Sequence, residues 1–93
     1  MPDIGEIWRR IEAHAGETFR QKKGGEFRYH VTGAYLQLDR TNYKASRSDL
    51  EKALRRVPLE GPASVNDLRA PSYIWAILMD DRISRGDWTV ARR

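Results

Sequence analysis

The chain has 93 residues, 40% hydrophobic and 32% charged, with three Trp, four Tyr and two Phe; this suffices for the core of one domain over 1–93, is too little for two, and is too aromatic for a disordered chain. The absence of cysteine excludes disulfides and thiolate metal sites and points to a reducing, cytoplasmic setting. Seventeen basic against thirteen acidic residues leave a net charge of +4, the N-terminus has no apolar secretion-signal segment, and the longest apolar run, Tyr73 to Met79, is far shorter than the ~20 residues of a membrane helix, so no membrane partner is expected.

Ile4, Ile7, Trp8 and Ile11 recur at helical spacing and predict an amphipathic first helix, with Asp3 and Glu6 as a capping box and Gly16 as the left-handed residue that ends it. Phe27, Tyr29 and Val31 then alternate with Arg28, His30 and Thr32, the period of a half-buried strand. A Gly33-Ala34 turn of type II′ pairs Val31 with Leu36 and Tyr29 with Leu38, and sets His30 opposite Gln37 and Arg28 opposite Asp39. For the hairpin before it, a Gly24-Gly25 turn sends Phe19 to the polar face, whereas a three-residue Lys23-Gly24-Gly25 loop sends it to the apolar one and is preferred on burial. The product is a three-stranded antiparallel meander whose outer face carries Arg20, Lys22, Arg28, His30, Tyr35, Gln37 and Asp39.

Leu50, Ala53, Leu54 and Val57 predict a second helix, capped by Ser48 with Glu51 or by the competing Ser46, and stopped at Pro58. Pro58, Gly61, Pro62 and Pro71 mark an irregular connection with a short helical turn near Val65 and Leu68. Ser72 then caps a third helix from Tyr73 to about Asp80, apolar on all sides, although Tyr, Ile and Trp also favour a strand. Residues 84–93 form a basic tail that is partly ordered if Trp88 packs. The fold class is α+β in the order αβββαα, with Trp8, Ile11, Phe27, Tyr29, Val31, Leu36, Leu38, Leu50, Leu54, Ile74, Ile77 and Leu78 supplying most of the core.

The basic residues concentrate in one region: 18–57 holds ten Lys or Arg against four acids, whereas 1–17 is net acidic and 58–93 is balanced. A localised basic surface favours a polyanion. Three groups could grip one. Lys22 and Lys23 flank glycines at a hairpin tip, where backbone N–H groups can approach a phosphate. Arg20, Arg28, His30 and Tyr35 mix cations with an aromatic on an open sheet face. Lys44, Arg47, Lys52, Arg55 and Arg56 make the second helix basic. Turn geometry, solvation and the helix dipole explain the same residues without a ligand, and the excess of Arg over Lys is explained by composition alone.

The order helix, three antiparallel strands, helix is shared with double-stranded RNA-binding domains. The likeness is one of element order: that family's basic signature at the second helix is not matched, and the third helix and tail fall outside its pattern. No nucleotide, metalloprotease or serine-hydrolase motif occurs, His14 and His30 have no partner placed by sequence, and Asp80-Asp81 fits a turn or a pairing with Arg82 better than a cation site. The expectation is therefore a non-enzymatic nucleic-acid-binding module, for DNA or RNA, with no catalytic residue, cofactor or metal. The alternative is a protein-interaction module or homodimer using the apolar run Tyr73 to Met79 or the basic surface.

Overall fold

A computed structural model describes residues 2–88; the end of the predicted basic tail, 89–93, lies outside them. Helix α1 (Ile4–Ala13) begins where the Asp3 carboxylate accepts the Glu6 N–H at 3.0 Å. Only half of the capping box forms, because the Glu6 carboxylate turns to Arg9 at 2.8 Å and Arg10 at 3.4 Å. Gly16 does adopt positive φ (+87°), but it lies two residues past the cap at His14, and its N–H donates to the Tyr29 carbonyl at 2.9 Å.

Two sheets follow. Strands β1 (Phe19–Arg20) and β2 (Glu26–Phe27) form a two-residue ribbon, while β3 (Tyr29–Thr32), β4 (Tyr35–Leu38) and β5 (Lys44–Ser46) form a three-stranded antiparallel sheet in the order β3-β4-β5. The β3–β4 register and the Gly33-Ala34 turn are those expected from alternation: Tyr29 faces Leu38, Val31 faces Leu36, and Gly33 has the positive φ (+58°) of a type II′ turn. Two expectations about the meander are corrected. Its first hairpin is displaced: the three-residue loop is Lys22-Lys23-Gly24, closed by the Gln21 N–H on the Gly25 carbonyl at 2.7 Å, and Phe19 stands opposite Phe27 where the expected register put Tyr29, a shift of two residues, so Phe19 still points inward. The third strand of the sheet is β5, and the run from 27 to 32 is interrupted at Arg28, whose N–H is taken by the Asp39 carboxylate at 2.9 Å.

Helix α2 (Arg47–Leu54) is capped by Ser46, whose hydroxyl accepts the Asp49 N–H at 3.0 Å; the expected Ser48 cap is displaced, and the helix ends at Leu54, short of Pro58. Ser46→Ala should therefore lower stability by about 1 kcal/mol in a urea titration, whereas Ser48→Ala should leave the midpoint nearly unchanged. A 3₁₀ turn (Pro62–Val65) occupies the irregular connection. Helix α3 (Pro71–Leu78) starts two residues earlier than predicted, because Pro71 pre-sets its first turn. Ser72 is no cap; its hydroxyl accepts from Gln21 Nε2 at 3.0 Å and ties the first hairpin to α3. A short helix α4 (Asp81–Ser84), not anticipated, is capped by the Asp80 carboxylate on the Arg82 N–H at 2.9 Å.

The core is continuous: Ile7 and Ile11 of α1, Phe19, Phe27 and Tyr29, Leu36 and Leu38, Leu50 and Ala53, Ile74, Ile77 and Leu78 are all buried, with Val31 packed at its edge. The run Tyr73 to Met79 belongs to this core, with Ile74, Ala76, Ile77 and Leu78 buried, and Trp75 Nε1 donates to the Leu59 carbonyl at 3.1 Å. Trp88 is also buried and donates from Nε1 to the Leu78 carbonyl at 2.8 Å. No helix among the described residues is long and apolar enough to cross a membrane.

One side of this core is fastened by Arg82. Its guanidinium lies 3.9 Å from the Phe19 ring centroid, pairs with Asp80 at 2.8 Å and Glu17 at 2.9 Å, and donates to the Thr18 carbonyl at 2.8 Å. Burial pushes the Asp80 carboxyl up, yet the Arg82 side chain and N–H outweigh this and hold it below the usual carboxylate range. Glu17 is lowered by its hydrogen bonds from His14 and then Arg82, and Asp67 is lowered to about 2, chiefly by Arg56. Carboxylates depressed on folding contribute stability that is complete above their unfolded-state values and lost as pH falls through the folded ones. Urea midpoints should therefore decline between about pH 4 and about pH 2, and Arg82→Gln should flatten that decline. Equal pH slopes for both proteins would contradict it.

Candidate nucleic-acid interface

The eleven basic and aromatic residues singled out in the sequence divide by what holds them. Four are tied down. Arg20 pairs with Glu26 at 2.7 Å, Arg55 reaches Glu51 at 3.8 Å, and Arg56 makes a fork to Asp67 at 2.6 and 2.9 Å with a further bond to the Ser64 carbonyl. Lys22 donates from Nζ to the Glu60 carbonyl at 3.0 Å and lies so close over Gly61 that a Cβ there would meet Nζ at 2.9 Å. The hairpin tip is thus laid against the 59–61 loop, and Arg20 and Lys22 leave the face occupied by His30 and Tyr35, because the ribbon β1–β2 is separate from the sheet. The exposed side chains of Lys23 and His30 take no hydrogen bond or ion pair among the described residues, and the Arg28 side chain reaches only the Thr18 hydroxyl at 3.3 Å.

The remaining four lie at β4, β5 and α2. Tyr35 pairs with Ser46 and Gln37 with Lys44, so alternation sends all four side chains to the outer face while Ala45 is buried between them. Lys44 Nζ then sits 5.8 Å from the Tyr35 ring centroid. Arg47, at the start of α2, lies 5.9 Å from the ring of Trp8. Lys44, Arg47 and Lys52 have no carboxylate within ion-pair distance among the described residues.

Between these elements runs a groove of two adjoining depressions. Tyr35, Asn42, Lys44, Ser46, Asp49 and Arg69 line one. Tyr43, Asp49, Lys52, Asp67 and the segment Leu68 to Pro71 line the other, with Asp49 and Arg69 common to both. Arg69 lies 5.9 Å from the Tyr43 ring centroid and, like Lys44, has no ion pair among the described residues. Tyr35 and Tyr43, 49% and 56% exposed, are the exposed large hydrophobic side chains of the described residues, and both open on this groove. Its lining includes Ala70, held at φ +57° and ψ +53°, a left-handed conformation unfavourable for any residue with a Cβ.

No protein-family model, curated protein or solved structure matches the chain.

The groove brings together Tyr35, Lys44 and Lys52 from the sequence-predicted set and leaves the hairpin tip, Arg55 and Arg56 outside its lining. It adds Tyr43 and Arg69, which sequence reasoning missed. Tyr43 follows the polar Thr41-Asn42 stretch and directly precedes Lys44, an aromatic beside a cation in a loop; Arg69 lies in the charge-balanced part of the chain. Among the described residues no group of three or more His, Asp or Glu side chains gathers at metal-ligand spacing, and His14 Nδ1 is engaged with Glu17 at 3.0 Å.

Proposed function

We propose that this protein is a non-enzymatic nucleic-acid-binding module whose contact surface is the groove between β5, α2 and the Leu68–Pro71 segment. The observation that carries this reading is the pairing of each exposed tyrosine with a cation that has no carboxylate partner among the described residues: Lys44 beside Tyr35 and Arg69 beside Tyr43. Cations already held by acids bring little free charge to a ligand, whereas unpaired ones neutralise phosphates and release condensed counterions. Lys52 adds a third cation, and Lys23, Arg28, Arg40 and Arg47 are further cations without a carboxylate partner among the described residues, outside the groove lining. The alternative, a partner or second copy docked on the Tyr73 to Met79 run, has less surface to use, since Ile74, Ala76, Ile77 and Leu78 are buried and Tyr73, Trp75 and Met79 are partly buried against the core.

The test is fluorescence anisotropy with labelled single-stranded and duplex DNA and RNA at two salt concentrations. Binding that weakens steeply as salt rises supports phosphate contacts. Absence of binding to every probe at low salt rejects the reading and favours a protein partner.

A further inference from the structure

Resting on that reading, we infer that the groove takes single-stranded rather than duplex nucleic acid, with unpaired bases stacked on Tyr35 and Tyr43. Both rings are about half exposed, and an exposed flat ring offers most to a base whose face is free. In a duplex those faces are covered by neighbouring base pairs, and stacking on protein aromatics is a feature of single strands. The two rings border adjoining depressions that share Asp49 and Arg69, so one strand can pass over both platforms. Each platform has its own cation, so a stacked base and a neighbouring phosphate can be held together at both ends. The site is also a recess, whereas reading a duplex groove takes a helix or ribbon that projects into it.

Asp49 gives the groove a second property. Its N–H is bound by the Ser46 hydroxyl, but its half-buried carboxylate has no hydrogen bond or ion pair among the described residues, and it borders both depressions. A carboxylate repels phosphate and accepts hydrogen bonds from base amines, as an acidic residue does from the cytosine amino group. On a single strand those amines are exposed along the pairing edges of the bases. Cytidine strands should therefore bind more tightly than uridine strands of equal length.

Anisotropy titrations would compare short oligocytidine, oligouridine and a duplex hairpin on the native protein and on Tyr35→Ala, Tyr43→Ala and Asp49→Asn. The expected result is tighter binding of the single strands than of the hairpin. Each tyrosine variant should lose roughly 5-fold or more in single-strand affinity, with its salt slope unchanged because every phosphate-binding cation is kept. Asp49→Asn should narrow the preference for cytidine. Because both rings are solvent-exposed, urea midpoints should stay within error, separating weakened stacking from unfolding. Hairpin binding equal to or tighter than single-strand binding, or tyrosine variants that bind like the native chain, would overturn this inference and leave the nucleic-acid reading intact. Failure of the native protein to bind any of the three would remove both.

Discussion

Phe19→Ala should lower the stability of this protein by about 3–5 kcal/mol, the cost of emptying a fully enclosed aromatic site. The ring is 1% exposed, lies 6.1 Å from Phe27 and 5.2 Å from Tyr29 between centroids, and has the Arg82 guanidinium against it. Truncation removes the packing against both rings and leaves Arg82 facing a void, so its bonds to Asp80 and Glu17 should weaken as well. A domain of this size has only about 5–15 kcal/mol in total, and the melting temperature should fall by more than about 12 °C. Urea titrations followed by tryptophan emission would measure it, with Phe19→Leu as the milder control because it retains most of the volume. A loss below about 1 kcal/mol would mean that Phe19 does not join the ribbon to the Arg82 clamp.

The second large effect concerns binding. Reversing Lys44, Lys52 and Arg69 together to Glu should reduce nucleic-acid affinity at low salt by more than about 100-fold. The slope of log affinity against log salt should fall by about 2, since each phosphate left without its cation lowers it by ~0.7 with single strands and ~0.9 with duplex. Lys22→Gln with Arg20→Gln removes two positive charges whose side chains are already committed to the Glu60 carbonyl and to Glu26, and should change affinity only slightly. The reverse ranking would move the binding surface from the groove to the hairpin tip. All variants need the same urea check, because Lys22 also ties the hairpin to the 59–61 loop.

The parts of the fold that could be read from sequence are those where a side-chain period coincides with burial. The stripe from Ile4 to Ile11 became α1, and alternation from Tyr29 to Leu38 set the β3–β4 register residue for residue. What stayed hidden has local physical causes. Strand β5 turns only Ala45 inward, so no alternating apolar signal announces it. Ser46 and Ser48 are equivalent as letters, and pairing of Ser46 with Tyr35 at the end of the sheet decides which one starts the helix. Helix α4 has four residues, too few for any period to register. The candidate site was half legible for related reasons: Lys44 and Tyr35 meet through strand pairing, whereas Arg69 arrives beside Tyr43 from more than twenty positions away along the chain. Charge counting could not foresee that Lys22 and Arg56 would be consumed by carbonyls and carboxylates of the 60–67 connection.

The burial of the tryptophans also separates two optical signals. Trp8 and Trp88 are enclosed and Trp75 is bonded to the Leu59 carbonyl, and none of the three borders the groove, whose exposed aromatics are both tyrosines. Indole emission therefore reports the integrity of the packed interior, while a change in phenol absorbance at constant indole emission reports the surface, because the other two tyrosines, Tyr29 and Tyr73, are packed in and against the core. One unlabelled sample can follow unfolding and ligation through different chromophores, and a ligand that perturbs the first without the second is acting somewhere other than between Tyr35 and Tyr43.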